Sequence, residues 1–284
     1  MGNPMIQNIP SQLYKIFKDG SKTYFYSSLF FPSDVRSDVF VLYSFVRTAD
    51  DFVDQVPQQA KQFESFRSAY ERACAGTPSG ELVIDSFVEL QQRRGFDTTW
   101  VDSFFDAMAR DLKQVNYAQM EDTISYMYGS AEVIGLMMCR ILELDEDAHS
   151  AACLLGRSMQ YVNFIRDIQE DVGLGRVYFP QIELMKFGIS SLRKDAVERD
   201  IPAFTRFLQE QIKHYERWSA QGELGYAYIP RRYVIPIKTA NDLYHWTALE
   251  IAKQPMTVYE RKVKPSVPRI LLTLVKNTVW SLWR

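Results

Sequence analysis

The segment Ser33 to Val56, SDVRSDVFVLYSFVRTADDFVDQV, constrains this chain more than any other stretch. Val39, Phe40, Val41, Leu42, Phe45, Val46, Phe52 and Val53 make it apolar nearly all round, and a helix of that kind is largely buried. Yet Tyr43, Arg47, Asp50 and Asp54 recur at intervals of three and four residues. On a helix they form one stripe, with Asp50 and Asp54 about 5–6 Å apart. A charged stripe on a buried helix must face something other than hydrocarbon. The segment follows Pro32, takes Ser33 as its expected N-cap, and is long enough for about six turns.

A second stripe lies in Gln160-Tyr-Val-Asn163-Phe-Ile-Arg166-Asp167-Ile-Gln-Glu170-Asp171. Asn163, Asp167 and Asp171 fall on one line, with Gln160 a turn earlier and Arg166 and Glu170 beside it. Val162, Ile165, Ile168 and Val172 occupy the opposite face. Two carboxylates ~5 Å apart repel by about 3 kcal/mol at an effective dielectric near 20. A divalent cation removes the conflict, and oxygen-only ligands suit Mg²⁺ rather than Zn²⁺. Because Mg²⁺ combines a few carboxylates with substrate phosphates, two such stripes with arginines alongside point to a metal-bridged diphosphate. The first motif alone reads equally well as a solvated helix face; the pairing carries the inference.

The rest of the chain is helical in pattern. Helices are expected over about 58–75, 81–94, 98–116, 120–143, 146–172, 201–220, 231–253 and 267–282, separated by turn signals at Gly76–Gly80, Arg94-Gly95, Gly173–Gly175 and Gly188. With weak strand signals, no repeat and no flexible linker, one all-α domain over 1–284 is expected. Lys and Arg number 33 against 35 Asp and Glu, a net charge of −2, which removes the main electrostatic reason to expect a nucleic-acid partner. Cys74, Cys139 and Cys153 form no CxxC pair, and His149, His214 and His245 do not cluster. Reduced thiols in a cytoplasmic protein without a zinc site are expected. The opening MGNPMIQNIPS shows no signal-peptide pattern and no apolar run of about 18 residues occurs, so a soluble or peripheral protein is expected.

Four segments resemble the squalene/phytoene synthase family, the head-to-head prenyl synthases of the all-α isoprenoid synthase fold. They are Ser21-Lys22-Thr-Tyr24-Phe-Tyr26, Tyr43 to Asp54, Gln160 to Asp171, and Gly175-Arg176-Val-Tyr178-Phe-Pro180. Tyr126-Met-Tyr128-Gly-Ser-Ala131 and Tyr244 are similar too, and the resemblance runs from about residue 14 to 270. It implies a helical bundle with a central apolar cavity, and two or three Mg²⁺ ions with the diphosphate, held by Asp50, Asp54, Asn163, Asp167 and Asp171. It also implies that Ser21, Lys22, Tyr43, Arg47, Gln160, Arg166 and Tyr244 contact diphosphate or the reacting ends, with Arg261 a further basic position. One departure is Gly20, where the family often has His before the Ser-Lys pair; this bears on the diphosphate contacts there, not on the reaction class.

The implied reaction ionises one prenyl diphosphate, joins its allylic cation to the double bond of a second, and rearranges a cyclopropylcarbinyl diphosphate into a 1-1′ linked product. Lys22, Arg47 and Arg166 would add fixed positive charge, and Tyr24, Tyr43, Tyr128 and Tyr244 would turn ring faces to the cations, unless they are ordinary packing. Small Ser27 and Ser28 after Tyr26 are read as leaving room for two C20 chains, which favours phytoene from geranylgeranyl diphosphate; the alternative makes them surface or helix-contact residues. No GxGxxG motif opens a helix and NADPH is not expected, although reductive members of the family lack that motif as well. The chain's length, without a long C-terminal anchor, resembles the bacterial or archaeal carotenoid branch. Alternatives are a C30 synthase using farnesyl diphosphate, a terpene cyclase or head-to-tail synthase, and a catalytically silent assembly factor of the same fold. The C-terminal stretch from Arg269 to Arg284, apolar with basic residues and Trp280 and Trp283, reads either as a peripheral membrane contact or as a last helix docked on the core.

Overall fold

Apolar residues recurring at helical spacing, punctuated by turn residues, produce helix after helix. The structure, a computed structural model, describes residues 9–113 and 116–283. Residues 1–8, which carry most of the reading of the chain's start, residues 114–115 near the end of the helix expected over 98–116, and Arg284 lie outside the described residues. Helices α1 (Ser11–Gly20) and α2 (Lys22–Ser28) are separated by Ser21 alone, whose extended backbone ends one helix and whose hydroxyl accepts the Tyr24 N–H at 3.3 Å to start the next. Then follow α3 (Ser33–Asp54), α4 (Ala60–Cys74), α5 (Leu82–Arg94), α6 (Thr98–Asp111), α7 (Met120–Met127), α8 (Val133–Ile141), α9 (His149–Arg166) and α10 (Ile168–Gly173). The chain continues through α11 (Gln181–Lys186), α12 (Lys194–Val197), α13 (Ile201–Glu223), α14 (Arg231–Lys253) and α15 (Val267–Leu282). No strand forms among the described residues; Asn116 and Val177 make an isolated bridge.

The all-α reading holds, and the spans expected over 231–253 and 267–282 coincide with α14 and α15. Other spans differ for local reasons. Pro32 takes the N-cap position, which leaves Ser33 inside α3 rather than capping it. The helix expected over 98–116 stops at Asp111. The one expected over 120–143 is interrupted by a π-helical turn, Tyr128–Glu132, between α7 and α8. The one over 146–172 opens with a 3₁₀ turn at Glu146–Ala148 and bends at Asp167, where φ is −101° and ψ 15°. Its hydrogen-bond ladder survives the bend: Asp167 N–H donates to Asn163 O at 2.8 Å and Asp171 N–H to Asp167 O at 2.9 Å. Asn163, Asp167 and Asp171 therefore remain successive rungs although the last turn is tilted.

Helix α3 packs against α1, α4, α5 and α6, and α9 against α8, α13 and α14. Rings fill the space around α3: Phe45 stacks on Phe87 at 3.7 Å between centroids, with Phe66, Tyr70 and Phe105 close by. One contiguous cluster of buried apolar residues runs from Leu13 to Val263. Around α9 the packing is of another kind, backbone against backbone. A Cβ on Gly135 of α8 would lie 2.6 Å from Ala152 O, and one on Gly222 of α13 would lie 2.9 Å from Leu155 N. On α9 itself, a Cβ at Gly156 would lie 2.7 Å from Ala131 O in the π turn. Gly129, in the same turn, sits over the Ser103 carbonyl of α6, and a Cβ there would also come 2.8 Å from Ala107 Cβ. Close-packed backbone has little room to yield. Gly129→Ala is therefore expected to lower stability by about 1–3 kcal/mol, read as an earlier unfolding midpoint in urea; an unchanged midpoint would mean that α6 yields freely.

Candidate active site

A cleft of about 1040 Å³ opens where the C-terminal half of α3 faces the end of α9 and the start of α10. One wall carries Arg47, Asp50 and Asp54, and the other carries Gln160, Asn163, Arg166, Asp167, Glu170 and Asp171. The two stripes thus meet across one space. The segment after α14, from Val258 to Lys262 with Lys264, forms part of the rim and brings Arg261 with it. The cleft is polar, its ring-bearing wall formed by Tyr126, Phe164, Tyr178 and Tyr259. Among the described residues the cleft is a charged bowl beside packed rings.

Each carboxylate has a distinct environment. Arg47 Nη1 donates to Asp50 Oδ2 at 3.0 Å and Nη2 to Asp51 Oδ1 at 2.5 Å. Burial in the cleft, and then the Asp54 charge, push Asp50 up to about 8 despite Arg47. Burial, followed by Asp167 and Asp54, raises Asp171 well above the usual carboxylate range. Burial also disfavours the Asp167 carboxylate, but the Arg166 fork outweighs it, donating through Nε at 2.8 Å and Nη2 at 2.5 Å. Lys262 adds an ion pair to Asp167 at 3.3 Å and another to Glu170, and Asp167 is held below its ordinary value. One carboxylate on each wall, Asp50 on the one and Asp171 on the other, is thus electrostatically frustrated, Asp50 in spite of its ion pair with Arg47.

Asp54 is held from behind. Arg176, 3 % exposed, donates through Nη1 to Asp54 Oδ1 at 2.6 Å, through Nη2 to Val53 O at 2.5 Å, and through Nε to Asp111 O at 3.2 Å. Asp111 accepts the hydroxyls of Tyr126 at 2.5 Å and Tyr178 at 2.8 Å. Burial pushes Asp111 up to about 6, with Arg176 and the two phenols opposing that rise.

The donor set fits a hard cation. Besides the carboxylates, Asn163 Oδ1 is buried without a hydrogen-bond partner, while Nδ2 donates to Gln160 Oε1 at 3.3 Å. A buried acceptor is ordinarily satisfied, so a lone carbonyl oxygen among carboxylates is a ligand-like feature. No three His, Cys, Asp or Glu side chains converge as a metal-holding group among the described residues. A cation here would draw its other ligands from water or from a bound phosphate, as Mg²⁺ commonly does.

Beside the cleft, Tyr24 of α2 lies 6.5 Å from Tyr43 of α3 and 5.8 Å from Tyr244 of α14, ring centre to ring centre. Burial raises the phenol of Tyr24 well above its ordinary value, as does its neighbour Tyr244, so the Tyr24 hydroxyl keeps its proton. Tyr43 stacks on Phe17 at 4.0 Å, and its ring edge lies 3.1 Å from where a Cβ on Gly20 would stand. The glycine at the position of the family's frequent His is thus matched to Tyr43, whose hydroxyl takes up that space. Gly20 and Asp19 line the cleft; the adjoining Ser21 caps α2, and Lys22 is exposed on its first turn.

Tyr128 is not brought to this site. It stands in the π turn, 39 % exposed, in the electrostatic company of Cys153, Glu132 and Asp97. Two helical residues apart point to opposite sides, and it is Tyr126 that faces the cleft. Ser27 and Ser28 are buried, which removes the surface alternative, and each hydroxyl turns onto its own helix, to Thr23 O at 2.9 Å and Phe25 O at 2.8 Å. Sequence reasoning missed Asp111, Lys262 and Lys264, and it quoted Tyr126, Arg176 and Tyr178 as motif residues without giving them a place in the site. Lys262 had a signal, its position next to Arg261; Asp111 had none.

The squalene/phytoene synthase family model matches residues 17–270. The chain is 26% identical to the 15-cis-phytoene synthase of Pantoea ananas, covering 97% of this chain and 92% of that one, and 28% identical to that of Enterobacter agglomerans, covering 90% of each. Among solved structures, a dehydrosqualene synthase in complex with ligand superposes with a TM-score of 0.86 at 20% identity, covering 99% of this chain and 100% of that chain. A squalene synthase from Alicyclobacillus acidocaldarius gives 0.74 at 21% identity, covering 88% and 98%.

Proposed function

Because the chain belongs to the squalene/phytoene synthase family and is a prenyltransferase, we propose that it condenses two geranylgeranyl diphosphates head to head, through prephytoene diphosphate, to phytoene. The observation that carries this reading is the meeting of two carboxylate stripes across one cleft, each with an arginine in register and the second with an unpaired amide oxygen. Asp50, Asp54, Asn163, Asp167 and Asp171 would hold Mg²⁺, with phosphate oxygens completing its shell. Bound Mg²⁺ supplies Lewis-acid stabilisation of the departing diphosphate.

The chain's own groups do the rest. Arg47 and Arg166 provide fixed positive charge on either wall, and Lys262 and Arg261 bring more from the rim. Gln160 offers amide hydrogens, and Ser21 and exposed Lys22 meet a diphosphate at the edge near Gly20. As the C–O bond breaks, the electron pair leaves with the diphosphate. The double bond of the second substrate attacks the allylic cation, and loss of a proton to the released diphosphate closes the cyclopropane of prephytoene diphosphate. Tyr24, Tyr43 and Tyr244 offer ring faces to that cation, and their packing against one another keeps water from capturing it. After the second ionisation and rearrangement, loss of a proton yields the triene without a reductant, so NADPH is not required.

All four aspartates of the stripes are intact, which favours an enzyme over a silent assembly factor. The test is a product assay with Mg²⁺ and either geranylgeranyl or farnesyl diphosphate, with and without NADPH. A C40 triene formed without NADPH is expected. A C30 hydrocarbon would retain the reaction class and overturn the C20 assignment; intact diphosphate with no hydrocarbon would overturn the enzyme reading.

A further inference from the structure

Helix α15 has two apolar faces. Ile270, Leu274, Asn277 and Ser281 are buried on one side, where the helix packs on α14 and α2. Asn277 fixes that seat by donating to Thr239 Oγ1 at 3.1 Å and Asp242 Oδ2 at 2.8 Å. On the other side Leu271, Leu272, Val275, Val279 and Leu282 are 47 to 70 % exposed, and Trp283 at the helix end is 88 % exposed. At 100° per residue these five leucines and valines fall within one arc, turned away from the docked residues. Soluble proteins expose single apolar side chains freely, but a contiguous stripe of this kind marks an interaction surface.

Charge says what meets it. From Val267 to Arg284 the sequence holds three basic residues, Arg269, Lys276 and Arg284, and no acidic one, in a chain of net charge −2. Lys276 and Arg269 sit on the same side of the helix, at the border of the bare stripe, and both are exposed. Tryptophan and basic residues flanking an apolar stripe are the composition that rests in the headgroup region of a bilayer. No helix is long and apolar enough to cross a membrane among the described residues, so a helix lying in the plane of the surface is the arrangement available. We propose that the outer face of α15 docks the protein on an anionic lipid bilayer, with Leu271, Leu272, Val275, Val279, Leu282 and Trp283 entering the headgroup–acyl boundary. A protein seated on core contacts alone would present a polar outer face, and a protein-binding stripe would carry no need for one-signed charge.

The test is flotation of the full chain with vesicles, without substrate, so its outcome is independent of the catalytic reading. Vesicles of phosphatidylglycerol with phosphatidylcholine are expected to carry the protein up, and phosphatidylcholine alone to carry several-fold less. Leu272→Glu combined with Val275→Glu is expected to weaken binding roughly tenfold or more, with helicity and detergent-assayed turnover retained because both side chains are exposed. Lys276→Glu is expected to weaken binding to the anionic vesicles alone, by about fivefold or more; this variant and a salt titration decide the matter should the double variant misfold. Absence of wild-type flotation, or flotation unchanged in both variants, overturns the proposal. A wild-type dimer that does not float and that Leu272→Glu splits would assign the face to a second copy of the chain.

Discussion

Asp171→Asn is expected to cut hydrocarbon formation on the order of 10³-fold and, in the absence of metal, to make the protein more stable. Asp171 lies in the cleft wall with its carboxyl raised well above the usual range by burial and by Asp167 and Asp54. A raised value in the folded state means that folding favours the protonated form, so stability is fullest at acid pH and is lost as pH rises from the unfolded value through the folded one. For Asp50, under the same strain, that window runs from about 4 to about 8. Asparagine keeps the shape of Asp171 and removes the charge. A gain on the order of 1–2 kcal/mol is expected at neutral pH, with a flatter fall of the unfolding midpoint between pH 5 and 8 on the order of one protonation event. If Asp171 is a ligand to the proposed cation, its loss removes several kcal/mol of transition-state stabilisation, on the order of 10³-fold in turnover. Thermal melts in chelator and product assays in Mg²⁺ read the two effects separately. A lowered midpoint would show that Asp171 is held by partners rather than strained.

Arg176→Ala is expected to act in the opposite sense on stability, costing about 3–5 kcal/mol because it leaves the buried Asp111 charge without its cation. Arg176 joins Asp54, the Val53 carbonyl and the Asp111 carbonyl in three directions at once, so Arg176→Lys, with one compact donor group, is expected to recover little. Because Arg176 fixes the rotamer of Asp54, turnover of either variant is expected to fall by about tenfold or more even under conditions where it is fully folded. Urea titration and product formation at low temperature separate the contributions. Full turnover in folded Arg176→Lys would show that Asp54 needs no support from behind.

The two stripes were legible because their spacing matches the helical period and their flanks are apolar, so side-chain direction followed from position alone. Asp111 was not legible: it terminates α6, and only tertiary packing brings it to Arg176, Tyr126 and Tyr178. Tyr128 illustrates a different failure. The Tyr126–Ala131 segment resembles the family's, but resemblance names a segment and not the face of a helix, and the tyrosine at the cleft proves to be the one two residues earlier. For α15 the ambiguity was physical. Leu274 and Val275 look alike in sequence, yet one is fully buried and the other 61 % exposed; hydrophobicity alone does not tell a side chain that meets the core from one that meets another medium. Helix ends were missed where a π turn or a bend leaves the apolar periodicity nearly unchanged, as at Tyr128–Glu132 and Asp167.

The seating of α9 against Gly135, Gly222 and the Ala131 carbonyl has a consequence for how such an enzyme diversifies. With main chain touching main chain around Ala152, Leu155 and Gly156, the first half of this helix has no side-chain cushion that a mutation can thin or thicken. Its wall of the cleft is a fixed reference surface. Beside the cleft, α2, α3 and α14 meet through the rings of Tyr24, Tyr43 and Tyr244 instead, and each of those is separately replaceable. Lineages that come to accept longer or shorter hydrocarbon tails would therefore accumulate their substitutions around that ring cluster, while α9 keeps its glycine contacts and its spacing unchanged.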